Sequence, residues 1–195
     1  MGEGDCTLSP APGNPAITDG LGAEDGTLPM DHENPARKAQ LDKALELFQQ
    51  AYTRQMSGEM DEAITLYLAS IELNPTAEAH TFLGWTYSFQ GRFDEAICEC
   101  KKAIEVDPEF GNPYNDIGAY LIELDRLDDA IPWLEKATTA SRYESYHFPW
   151  FNLGRVYEAK EHLNRATECY RRALEYDASY EPAQKALRTA GLKIN

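Results

Sequence analysis

Two stretches crowd together residue types that could do chemistry. Cys98-Glu99-Cys100 offers two thiols and a carboxylate, and SRYESYHFPW at 141–150 offers four aromatics, His147, Arg142 and Glu144. A metal ion needs ligands that converge, and residues two apart on a helix point about 200° apart, so Cys98 and Cys100 cannot close on one ion. His32, His80, His147 and His162 lack the i, i+4 spacing of a metal pair. No phosphate loop, nucleophile elbow or dinucleotide fingerprint occurs anywhere in the chain. The expectation is therefore no catalytic residue, no metal and no cofactor. The aromatic stretch could stack on a ligand or grip a peptide, but no partner residues converge on it in sequence. Packing beneath a long turn is the stronger reading, with a local contact patch as the alternative.

The remaining composition bounds the partner. Among 195 residues there are 33 acids and 18 Lys plus Arg, a formal charge of −15. Such a charge opposes non-specific binding to nucleic acid and to anionic membrane surfaces, and attracts basic partners. No apolar run is long enough to span a membrane, and the start lacks the charged and apolar segments of a secretory leader. The opening MGEGDC has the Gly2 of a myristoylation signal but Cys6 where Ser or Thr is usual. A cytoplasmic location follows as the expectation. Four cysteines in a chain large enough for its own core, without a leader, argue against a disulfide framework.

Residues 1–36 contain no Lys or Arg, and their seven acids account for −7, leaving −8 for the rest. Five of the eleven prolines and six of the thirteen glycines also fall there, without apolar periodicity. A disordered acidic tail is expected over 1–34, because little apolar surface is available to offset the entropy of ordering. From Asn34-Pro35 onward helix formers dominate, with no alternating strand pattern.

The body repeats. Ala63, Ala96, Ala130 and Ala166 open equivalent helices at spacings of 33, 34 and 36, and Gly84, Gly118 and Gly154 recur at 34 and 36. The spacing predicts helix-turn-helix units at 35–76, 77–110, 111–146 and 147–180, followed by a capping helix at 181–195. Trp150, Leu153, Gly154, Tyr157, Ala166, Tyr170 and Ala173 form the fullest copy of the motif, with Ala178 where a closing proline is usual. His80, Leu83, Gly84, Tyr87, Ala96, Cys100, Ala103 and Pro108 form another, and Tyr114, Ile117, Gly118, Leu121, Ala130, Leu134 and Ala137 a third. The first unit is degenerate, with Leu47, Gln50, Ala51 and Arg54 before Ala63, Tyr67, Ser70 and Pro75. These residues resemble the tetratricopeptide repeat signature over about 34–190. The resemblance implies an all-α, right-handed α-solenoid. The chain begins with Met and runs past the last repeat, so it reads as complete.

The family resemblance also implies that the first helix of each unit lines a concave groove. Helical spacing then places Phe48, Tyr52, Trp85, Phe89, Asn115, Phe151, Asn152 and Arg155 on the groove stripe. The five aromatics lie on faces that the core does not need, and the asparagines are able to bond an extended peptide backbone. Glu78, Asp116, Glu123 and Glu158 outnumber Arg155, so the expected partner is a protein or peptide with apolar anchors and some basic character. Family members that hold the acidic C-terminal tail of heat-shock chaperones use Lys, Asn and Arg at slots that here carry Phe48, Tyr52, Phe82, Asn112 and Asp116. That activity is disfavoured. The expected function is a non-catalytic scaffold or adaptor. A dedicated chaperone for a secreted or assembling client, similar to type III secretion chaperones, is the alternative, and an enzyme is the remote one.

Overall fold

The computed structural model describes residues 34–194, and the acidic tail expected over 1–34 lies, but for Asn34, outside the described residues. Among them the chain is a run of helices: α1 (Pro35–Met56), α2 (Met60–Leu73), α3 (Ala77–Phe89), α4 (Phe93–Val106), α5 (Asn112–Glu123), α6 (Leu127–Ala137), α7 (His147–Ala159), α8 (Leu163–Tyr176) and α9 (Glu181–Ile194). The architecture is the expected right-handed α-solenoid.

Local chemistry explains where the helices begin. The Asn34 side chain accepts from the Ala36 N–H at 3.1 Å with Pro35 at the first helical position, and Thr76 caps α3 through the Ala79 N–H. Asp61-Glu62, Asp94-Glu95 and Asp128-Asp129 occupy the first turns of α2, α4 and α6, where carboxylates meet the positive helix end.

Four short turns join α1 to α2, α3 to α4, α5 to α6 and α7 to α8, and all four are built alike. The N–H groups of Glu59, Arg92, Arg126 and His162 reach back to the carbonyls of Arg54, Tyr87, Leu121 and Tyr157 at 2.8–3.1 Å. The residue before each is left-handed: Gly58, Gly91, Asp125 and Glu161, at φ of 80°, 72°, 57° and 60°. The first two turns use glycine for that conformation, and the last two force it on an acid.

Small residues set the packing inside each hairpin. Ala63, Ala96, Ala130 and Ala166 are wholly buried. A Cβ on Gly154 would lie 2.3 Å from the Tyr170 ring, and one on Gly84 would lie 3.0 Å from the Ala96 carbonyl oxygen. Leu83, Ile117, Leu134, Val156, Tyr67 and Tyr170 fill the core along the solenoid. The odd-numbered helices α1, α3, α5 and α7 touch their successors directly, while the even-numbered helices do not pack on one another to that extent. The odd-numbered set therefore forms the inner, concave side.

The aromatic stretch 141–150 runs from the long link after α6 into the first turn of α7, and it packs. Tyr143 is buried against Gly111, where a Cβ would lie 2.4 Å from its own. The Gly111 N–H donates to the Arg142 carbonyl and the Arg142 N–H to that of Glu109, at 3.1 and 3.0 Å. The Tyr146 hydroxyl donates to the Ala140 carbonyl at 2.7 Å. Arg142 lies over the Phe110 ring and pairs with Glu78 and Asp107. The link is thus tied back to α3 and to the turn after α4.

Cys100 is fully buried beneath Gly84, and burial pushes its thiol well above the usual range. Cys98 is half-buried. No group of three or more His, Cys, Asp or Glu among the described residues could hold a metal ion. No described helix is long and apolar enough to cross a membrane.

Candidate partner-binding groove

The concave side divides into an aromatic half and a polar half. In the aromatic half, α1 and α3 run side by side and their rings form a continuous ladder. Phe48 meets Phe82 edge-on at 5.4 Å, and Tyr52 meets Phe82 at 5.7 Å. Phe82 meets Trp85 at 5.7 Å, and Trp85 meets Phe89 at 5.4 Å. Tyr52, Trp85 and Phe89 remain 42%, 40% and 57% exposed. Phe48 and Phe82 are half-buried over Tyr67, whose hydroxyl donates to the buried Gln55 at 2.8 Å. The ladder borders an apolar cleft of about 510 Å³ lined by Leu41, Leu45, Phe48, Tyr52 and Phe82, with Glu78 at its rim.

The polar half lies between α5 and α7. Asn152 donates to Asn115 Oδ1 at 3.1 Å, and Asn115 donates to Asp116 Oδ1 at 3.3 Å. Arg155 contacts Asn152 Oδ1 at 3.4 Å and pairs with Glu123 at 2.9 Å. At the far end Phe151 packs between Tyr170 and Tyr180, and Phe148 meets Tyr180 edge-on.

The structure thus brings Phe48, Tyr52, Trp85 and Phe89 together on one face, and Asn115, Asn152 and Arg155 on the next. It differs from expectation at three places. Phe48 and Phe151 are half-buried and pack on the core side, so the core does use them. Asn115 and Asn152 are buried and bonded to each other instead of free for a peptide backbone, because adjacent units bring the two amides within reach. Leu41 and Phe82 line the cleft but were not assigned to the stripe. Leu41 continues the i, i+4, i+7, i+11 series of Leu45, Phe48 and Tyr52, and Phe82 lies three residues before Trp85.

Two carboxylates have environments that a sequence does not display. Glu99 is buried, which alone would raise its pKa. Hydrogen bonds from His80 and Lys102, each at 2.7 Å, outweigh burial and hold it below the usual value. Asp116 is half-buried with only the Asn115 amide bonded to it, and burial pushes its carboxyl up to about 7.

Sequence models described as tetratricopeptide repeat match 77–110 and 112–143, and a second such model matches 147–180. The chain belongs to the tetratricopeptide repeat family. The curated small glutamine-rich tetratricopeptide repeat-containing protein 2 of Mycosarcoma maydis is 33% identical over 75 residues, 38% of this chain and 21% of that protein. The chain thus spans about a fifth of the length of this relative. Pseudomonas aeruginosa pilF superposes with a TM-score of 0.73 at 21% identity, over 81% of this chain and 70% of that one. The first tetratricopeptide domain of RPAP3, bound to the HSP90 peptide SRMEEVD, superposes at 0.56 with 24% identity, over 60% and 92%. At these identities the solved structures establish the shared fold. The tetratricopeptide fold supports a protein-interaction scaffold as the general role, with a protein or peptide as partner.

Proposed function

We propose that this protein is a non-catalytic scaffold or adaptor that holds a partner segment in its concave groove. The proposal divides the chain into a tail at 1–34, four units at 35–76, 77–110, 111–146 and 147–180, and a cap at 181–195. The observation that carries it is the exposed aromatic ladder of Tyr52, Trp85 and Phe89 beside the apolar cleft. An exposed apolar patch of that kind on a folded chain marks an interaction site, and Trp and Tyr are the residues that most often dominate binding energy.

The partner segment offers large apolar side chains to Leu41, Phe48, Phe82 and Trp85, and some basic character to the acids. A peptide like SRMEEVD, rich in acids, is a poor fit: the slots that would receive its carboxylates hold Phe48, Tyr52, Phe82, Asn112 and Asp116. The proposed setting is cytoplasmic. A second reading, a dedicated chaperone for an apolar client, uses the same groove, and the breadth of the apolar cleft favours its consideration.

Trp85→Ala separates binding from folding. The variant is expected to keep wild-type circular dichroism and thermal unfolding while losing about thirtyfold in affinity for a captured partner, from about 2 kcal/mol for a central aromatic. A folded variant with full affinity would move recognition off this face. The chaperone reading predicts in addition that the client, expressed alone, aggregates and is rescued by wild type.

A further inference from the structure

We propose that the groove selects a partner segment in which a large apolar residue seated against Phe82 and Trp85 is accompanied, about three residues along an extended strand, by a lysine or arginine that pairs with Asp116. The inference deepens the groove reading and rests on it. Its basis is the distribution of charge on the concave side.

The other acids of the groove are already engaged. Glu78 pairs with Arg142, Glu123 pairs with Arg155, and Glu158 accepts from the Tyr170 hydroxyl at 2.7 Å. Asp116 differs. Among the described residues no Lys, Arg or His pairs with it, and its hydrogen bond comes from a neutral amide at 3.3 Å. A carboxylate withdrawn from water without a cation is costly, and the upward shift of its proton affinity is the expression of that cost. A cation supplied from outside would offset the cost and convert it into selectivity.

The position of Asp116 fits this role. Tyr120, one turn further along α5, lies beside Ser88 of α3. One turn back along the parallel helix α3 is the level of Gly84 and Trp85, and Cys100 beneath Gly84 feels the Asp116 charge. Asp116 is thus level with the exposed Trp85 ring on the neighbouring helix. Packed helix axes lie about 8–10 Å apart, and an extended chain advances about 3.3 Å per residue. The apolar anchor and the cation therefore fall about three residues apart. Residues 1–33 contain no Lys or Arg, so the chain's own N-terminal segment cannot supply this cation.

The test is selection of a displayed library of random 12-residue peptides on the full chain at pH 8, followed by calorimetric titration of synthesised hits. Hits are expected to carry Lys or Arg two to four residues from Phe, Trp, Leu or Ile. Replacing that cation by Gln should weaken binding to wild type about tenfold, and Asp116→Asn should abolish the difference between the two peptides. Trp85→Ala should weaken both. Hits that depend on Trp85 but tolerate loss of the cation would overturn the pairing and leave the groove reading intact. A selection yielding no Trp85-dependent peptide would overturn both. The Gln peptide on wild type keeps the outcome decisive even if Asp116→Asn fails to fold.

Discussion

The half-buried Asp116 and the buried Glu99, on neighbouring helices, behave in opposite ways, and their pH dependence separates them. The Asp116 carboxyl has its pKa raised from 3.8 to about 7 by burial, so the folded protein keeps a proton that the unfolded chain has lost. Stability from this residue is greatest below about 4, declines as pH rises to about 7, and stays low above it. The shift as given corresponds to at most about 4 kcal/mol. Asp116→Asn is therefore expected to melt at a higher temperature than wild type at pH 8 and to converge with it near pH 4.5, measured by circular dichroism. A variant less stable than wild type at pH 8 would mean that the ionised carboxylate has a stabilising partner. Glu99 has the reverse sign. Although burial opposes its ionisation, His80 and Lys102 hold its pKa below 4.5, so its contribution is present above that value and lost as pH falls through the lowered one. Glu99→Ala leaves the buried His80 ring without its hydrogen bond and should cost about 1–3 kcal/mol in denaturant titrations at pH 7.

The four hairpin turns share one hydrogen-bond pattern but not one sequence, and this sets predictions for elements. Asp125 and Glu161 adopt the left-handed conformation that Gly58 and Gly91 adopt without a steric penalty. Asp125→Gly and Glu161→Gly should each stabilise by roughly 0.5–1 kcal/mol, Glu161→Gly by more because Asp tolerates this region better than Glu. Equal destabilisation by both would show that the acids make contacts that offset the strain. The helical glycines behave differently. Gly154→Ala gains helix propensity, yet its Cβ would fall 2.3 Å from a Tyr170 ring that is buried and tied to Glu158. A net loss of roughly 1–2 kcal/mol is expected, because the ring has no room to retreat.

At the scale of the molecule, each hairpin buries its apolar faces against the next, so stability is shared between neighbours. The helix α9 continues that sharing past the last hairpin. α9 packs on α8, Ala183 is wholly buried, and Tyr180 covers Phe148 and Phe151. Truncation after Ala178 would expose these rings and the outer face of α8. The shortened protein should lose several degrees of melting temperature and self-associate in light scattering, whereas Trp85→Ala should do neither. An unchanged melt would assign closure of the solenoid to α8 alone.

The order of helices and the architecture were legible in the sequence because they rest on local rules. Glycine and alanine recur where helices touch, acids recur at helix starts, and a period near 34 is a property of the chain itself. The aromatic stripe was legible in part, since Phe48, Tyr52, Trp85 and Phe89 follow helical spacing on α1 and α3. Contacts between units were not legible, because they join residues that sequence spacing does not relate. The Asn115–Asn152 bond spans 37 residues and turns two apparent peptide contacts into a shared internal link. Phe151 reads as a groove residue until Tyr180 folds over it. Asp116 reads as one acid among several. Only the packing of α5 beside α3 and α7 half-buries it, while Arg142 and Arg155 pair with Glu78 and Glu123 instead, because burial and charge balance are set by all the neighbours of a residue at once.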